Sequence, residues 1–156
     1  MTERVVSLVD AAATEALGVW LGERLSAGQA LALCGDLGAG KTTLARGVAR
    51  GLAVDDPAAV CSPTYLLVIE HPGPVPMLHV DAYLPEKTRA FLADGGHDYL
   101  AEFGGVTVVE WADRVADFLP QTSLWLALAP AAGGTGRTAR LETRGQRGFG
   151  WIEELG

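Results

Sequence analysis

Residues 35–42, Gly35-Asp36-Leu37-Gly38-Ala39-Gly40-Lys41-Thr42, match the pattern G-x-x-x-x-G-K-[ST] in full, and Thr43 follows directly. No other stretch of the chain constrains the fold so tightly. Such a turn cradles phosphate only between a buried strand and the start of a helix. Its glycines let successive backbone N–H groups converge on one point, and the helix end adds partial positive charge. Both flanks fit. ALALC (30–34) is the unbroken apolar run of a strand buried on both faces. From Thr42 to about Leu52 the pattern is helical, closing near Gly51. With a nucleotide in the loop, Lys41 reaches the β- and γ-phosphates and Thr42 sets its hydroxyl on magnesium. The competing reading is a glycine-rich turn that merely caps a helix. Lysine usage argues against it. Of twelve basic residues only Lys41 and Lys87 are lysine, and a compact ammonium among phosphate oxygens is not replaceable by a guanidinium.

Around the loop, strand and helix patterns alternate. VVSLV (5–9) reads as a strand. Asp10 is a helix N-cap, and the helix runs to about Leu25 with Leu17, Leu21 and Leu25 on one face beside Ala13 and Trp20. VDDPAAVCSP (54–63) is a loop. YLLVIE (65–70) and MLHVD (77–81) are strands, and the short link HPGPVP makes them antiparallel. Residues 85–103 are helical in pieces, broken at Gly95-Gly96. VTVVE (106–110) is a buried strand, followed by a short helix to about Phe118. LWLALA (124–129) and TARLET (138–143) form a terminal pair of strands across AAGGTGR. The expectation is one α/β domain spanning 1–156, a three-layer P-loop NTPase-like fold with a mixed, partly parallel sheet.

Composition narrows the setting. Apolar residues make up 49% and charged residues 20%, enough for a packed core. No run approaches the roughly 18 apolar residues of a membrane span. MTERVVSLVD lacks a signal-peptide pattern, so a cytoplasmic protein without membrane contact is expected. Cys34 and Cys61 make no disulfide framework, and Cys34, ending an apolar run, reads as a small core residue. A net charge of −7 is the wrong sign for a uniform nucleic-acid grip. Residues 131–150 nonetheless hold Arg137, Arg140, Arg144 and Arg147 against Glu142 alone. A solvated hairpin is the favoured reading of that stretch, and a phosphate-facing surface is the alternative.

Magnesium needs further oxygen, which a carboxylate at the end of a buried strand supplies. Asp81 follows MLHV and Glu110 follows VTVV. Asp81 is assigned to the metal shell. Glu110 is assigned to orienting the attacking water or completing that shell. Between the loop's helix and the next strand lies SPTY (62–65), where Thr64 is the candidate for a switch threonine that meets metal and γ-phosphate. There is no N/T-K-x-D segment, no LSGGQ-like signature and no arginine-rich lid. These absences favour ATP hydrolysis or gating over phosphate transfer to a metabolite or nucleoside.

GDLGAGKTT, SPTYLLVIEH, HVDAYL and VVEWADR occur in this order along nearly the whole chain. The ordered set resembles the TsaE (YjeE) family. The resemblance implies a small bacterial ATPase, using ATP and Mg²⁺, required for threonylcarbamoyladenosine in tRNA. It implies action on a TsaB–TsaD complex that the hydrolysis resets between turnovers, with tRNA met only indirectly or within the complex. It also implies hydrolysis that is slow alone and stimulated by the partner. By matching position, Gly38, Ala39, Gly40, Lys41, Thr42 and Thr43 hold nucleotide. Thr42, Asp81 and Glu110 form the metal set; Lys41, Asp81 and Glu110 are the catalytic residues. Thr64 is the switch threonine and Trp111 pairs with Glu110. From the residues alone Trp111 reads as a core aromatic. The chain departs from the family pattern at Leu84, where an arginine is usual. Arg89 or Arg114 is a candidate to replace it. Ala112 and Asp113 stand for the usual Pro and Glu, and Leu66 alters packing only.

Overall fold

Strand burial sets the architecture. In the computed structural model, which describes residues 2–36, 38–61, 68–120 and 122–155, β2 (Ala30–Cys34), β4 (Met77–Asp81) and β5 (Val106–Glu110) are buried along nearly their whole length. Fully apolar strands can sit only inside a sheet covered on both faces. They do so here, in a seven-stranded sheet of order β1-β7-β6-β2-β5-β4-β3. β6 (Ser123–Pro130), β2, β5 and β4 run parallel. β7 (Arg137–Glu142), β1 (Glu3–Leu8) and β3 (Val68–His71) attach antiparallel at the flanks. β1 alternates exposed and partly buried residues, as an edge strand does.

Two helices cover one face. α1 (Ala11–Arg24) starts at Asp10, whose Oδ1 accepts the Ala13 N–H at 2.8 Å. α2 (Lys41–Gly51) follows the glycine loop. Their leucines and valines join Leu31, Leu33, Val106, Val108 and Leu126 in one core. On the other face α3 (Pro85–Phe91), α4 (His97–Glu102) and the short 3₁₀ segment Ala112–Phe118 cover Ala32, Leu78, Val80 and Val109. The result is the expected three-layer α/β arrangement with a mixed sheet. The break at Gly95-Gly96 is a wide turn between α3 and α4, with Asp94 and Gly95 outside helical geometry. The described part of the third predicted strand begins at Val68; its first residues, 65–67, lie outside the described residues. A one-and-a-half-turn 3₁₀ segment at Gly150–Glu154, which places Ile152 in the core, was not foreseen.

The parallel strands bring their carboxyl ends to one edge. The glycine loop leaves β2 there, flanked on either side by parallel neighbours, and Asp81 and Glu110 end β4 and β5 beside it. In sheets of this kind that edge, where the chain departs to both faces, is where ligands bind.

Candidate functional site

The glycine loop departs from β2 at Gly35. A Cβ there would lie 2.7 Å from the Leu128 carbonyl oxygen, so no larger residue lets the loop lie against β6. Gly40 sits at φ +102 and opens α2. That left-handed turn lets Lys41, Thr42 and Thr43 enter the first helical turn with their N–H groups unpaired by helix bonding.

Lys41 is 5% exposed. Its Nζ donates to the Gly35 carbonyl at 2.5 Å and the Asp36 carbonyl at 2.9 Å, and lies 4.1 Å from the Trp111 ring centre. Burial lowers its pKa from the ordinary lysine value, while Glu110, Asp81 and Asp36 favour the charge. Thr42 Oγ1 lies 3.2 and 3.3 Å from the two carboxylate oxygens of Glu110, so one hydroxyl hydrogen is shared between them. Parallel register places Asp81 opposite Glu110, and Glu110 opposite Leu33 on β2, two residues before the loop begins at Gly35. Both acids are 3% exposed. Asp81 Oδ1 accepts the Tyr83 N–H at 2.8 Å, which turns the chain after β4. Lys41, Thr42, Asp81 and Glu110 are therefore brought to one corner by three separate elements.

Trp111 packs against the core of the second face, as its reading as a core aromatic expects, and also meets charged groups of the site. It takes φ +59, a left-handed conformation that costs a bulky residue roughly 1–3 kcal/mol. Its half-buried ring meets both the Lys41 ammonium and the Arg114 guanidinium, 4.1 and 4.6 Å from the ring centre. Arg114 also donates to the Tyr83 carbonyl. Leu84 is 42% exposed. Of the two arginines weighed as substitutes for a basic residue there, Arg114 reaches this corner, whereas Arg89 lies near Phe118. Thr64 lies outside the described residues.

Two further side chains stand at the site: His79, to which the sequence reading gave no role, and Arg137, named there only within a basic stretch. His79 is fully buried, with Nε2 2.6 Å from Glu110 Oε2. Its position two residues before Asp81, hence on the same strand face, was the available signal. Arg137 donates from Nε to the Ala39 carbonyl at 3.2 Å and from Nη2 to the Gly38 carbonyl at 3.1 Å. The favoured reading of its stretch as a solvated hairpin is thus corrected at this residue. Arg144 does stay at the surface, paired with Glu142 at 3.2 Å and stacked on Trp125. Beside Arg137 a cavity of about 290 Å³ opens between Gly38, Gly40 and Thr43 of the loop and Asp10 and Thr14 of α1.

The donor chemistry suits a magnesium nucleotide. One hydroxyl and two buried carboxylates are hard oxygen donors, too few to enclose a cation alone. Among the described residues no three acidic, histidine or cysteine side chains form a cage of their own. Magnesium characteristically takes one or two carboxylates and fills its shell with phosphate and water.

The family described as "Threonylcarbamoyl adenosine biosynthesis protein TsaE" matches residues 8–139. A protein of Streptomyces coelicolor named "tRNA threonylcarbamoyladenosine biosynthesis protein TsaE" is 37% identical over 146 residues, covering 86% of this chain and 91% of its own. Proteins with the same name from Nostoc sp. and Mycobacterium leprae are 36% and 42% identical. Those matches cover 70% and 74% of this chain, and 68% and 75% of theirs. The crystal structure of Bacillus subtilis YdiB superposes with a TM-score of 0.76 at 28% identity, covering 99% of this chain and 94% of that one. The shared architecture is a P-loop NTPase fold.

Proposed function

The chain belongs to the TsaE family, and on that footing we propose that it binds and hydrolyses ATP as a component of tRNA threonylcarbamoyladenosine biosynthesis. It acts in the cytoplasm with a TsaB–TsaD complex, which its hydrolysis resets between turnovers. It meets tRNA only indirectly or within that assembly. The observation that carries this reading is the convergence of buried Lys41, the Thr42 hydroxyl, Asp81 and Glu110 at the carboxyl edge of the parallel strands.

The mechanism follows from those groups. Loop N–H groups and the start of α2 receive the phosphates. Lys41 releases the Gly35 and Asp36 carbonyls and turns its ammonium to the β- and γ-phosphates. The nucleoside end lies toward the cavity between Thr43, Asp10 and Arg137. Thr42 and Asp81 would hold magnesium, which would supply positive charge to offset that of the phosphates. Glu110 orients the attacking water and accepts its proton as the water oxygen bonds to the γ-phosphorus. The bond to the β–γ bridging oxygen then breaks, giving ADP and phosphate. A site completed by a partner lacks part of its electrostatic stabilisation when free, so turnover alone is slow.

Measured ATP turnover, with and without a TsaB–TsaD pair, tests this. Slow hydrolysis that rises strongly with the pair is expected. Lys41→Ala should abolish it by losing nucleotide. Glu110→Gln should keep ATP bound while cutting turnover by about 10²-fold or more. Rapid hydrolysis by the free protein, indifferent to the pair, would sink the reading and point to a phosphate acceptor instead.

A further inference from the structure

Most of β4 and β5 is apolar, and His79 is the buried ionisable side chain that lies inside these strands rather than at their ends. It is fully buried, between Leu78 and Val80 in sequence and opposite Val108 across the sheet. Its Nε2 meets Glu110 Oε2 at 2.6 Å. Its Nδ1 is buried with no hydrogen-bond partner among the described residues. His71 backs the ring from β3, with ring centres 6.4 Å apart. A carboxylate oxygen accepts, so Nε2–H is the donor of this contact. One ring nitrogen is thus committed to Glu110, and the other meets no partner among the described residues.

We propose that His79 is a positioning residue for Glu110. Its Nε2–H fixes the rotation of the carboxylate and so keeps Glu110 facing Thr42 and the attacking water. Without that bond the Lys41 ammonium, close enough to feel the charge of Glu110, is a competing partner. A carboxylate drawn toward it is lost as a base and obstructs the lysine. This role rests on the hydrolytic reading given above.

Three substitutions separate positioning from packing. Glutamine carries its amide nitrogen as many bonds from the backbone as Nε2; asparagine carries it only as far as Nδ1, too short to reach Glu110 as Nε2 does. His79→Leu and His79→Asn should lose about 10–100-fold in kcat, with affinity for a fluorescent ATP analogue within about twofold of the parent. His79→Gln should recover most of the loss. All variants are compared at a temperature where thermal melts show them folded. Equal losses in the Gln and Asn variants would overturn the role. So would an undiminished kcat in His79→Leu, or a loss that falls on affinity alone.

Histidine ¹⁵N NMR supplies a readout that needs no turnover. His79 should show the Nε2–H tautomer, and its N–H resonance should move in Glu110→Gln. A hydrogen on Nδ1 instead would overturn the proposal. A parent protein that hydrolyses no ATP, alone or with its partner, would instead sink the hydrolytic reading and the positioning role with it. The NMR result would still report whether the pairing exists.

Discussion

Cys34 and Cys61 show how far neighbouring groups govern a single side chain. Cys34 ends β2 beneath the 3₁₀ segment that follows β5. Burial, and then the negative charge of Asp113, push its thiol up to about 11. Both disfavour the thiolate, which is the nucleophile. Cys61 is exposed. At pH 8 Cys34 is therefore about 10⁻³ ionised, and iodoacetamide should label one thiol per chain quickly. Mass spectrometry should find that label on Cys61, and Cys61→Ala should take up almost none. Rapid labelling of Cys34 would mean that the burial or the acidic neighbour is wrong. Its reading as a small core residue needs only modest adjustment, since its side chain is partly buried. Trp111 needs an addition. An aromatic residue after a buried strand suggests core, and the ring does pack there, but from the left-handed turn at φ +59 it also meets two cations. Attraction of this kind contributes roughly 0.5–2 kcal/mol per cation, comparable to the backbone strain it accompanies.

At the scale of elements, α2 delivers Lys41 and Thr42, and what holds α2 in place is a set of glycines. Gly18 and Gly22 of α1 face Gly47 and Gly51 of α2. A Cβ on any of the four would stand 2.2–2.3 Å from a carbonyl oxygen of the opposite helix. The backbones touch, and no side-chain movement could relieve the clash. Glycine inside a helix costs about 1 kcal/mol relative to alanine, so propensity alone favours replacing it. Sterics should win. Gly47→Ala should destabilise the fold by about 1–3 kcal/mol, as overpacking of a closed contact does. Urea unfolding would show the sign. A stabilised variant would mean that the helices stand further apart. The leucine face at Leu17, Leu21 and Leu25 was legible because helical spacing is local. Glycines read as weak spots in a helix until a second helix is laid against them.

Across the whole molecule, the hairpin of β6 and β7 closes on the glycine loop. Arg137, 98 residues from Ala39, donates to that residue's carbonyl and to Gly38's. Carbonyls held from behind leave the loop's N–H groups free to face a ligand. Arg137→Ala should weaken ATP binding by about tenfold, near the value of one charge-assisted hydrogen bond of ~1.5 kcal/mol. Arg147→Ala, at an exposed position of the same stretch, should bind as the parent does. Isothermal titration would decide, and equal affinities for the two variants would remove Arg137 from the site. The net charge of −7 gives no hint of this contact, because a whole-chain charge says nothing of where one guanidinium lies.

What the sequence determined by itself was local or periodic. The strand–loop–helix around Gly35–Thr42 was legible because its signal is consecutive residues with narrow backbone requirements. The buried strands were legible because only a sheet covered on both faces accepts unbroken apolar runs. Asp81 and Glu110 stood out as charges ending such strands. Tertiary structure decided what depends on register and approach. Only the pairing of β4 with β5 brings the His79 ring to Glu110. Only the antiparallel return of β7 carries Arg137 to the loop, and only the packing of α1 on α2 turns four glycines into a contact. The physical reason is range. Steric limits on φ and ψ and the spacing of apolar residues act between near neighbours and are written along the chain. A hydrogen bond between residues 31 or 98 positions apart exists only once the sheet order has been set.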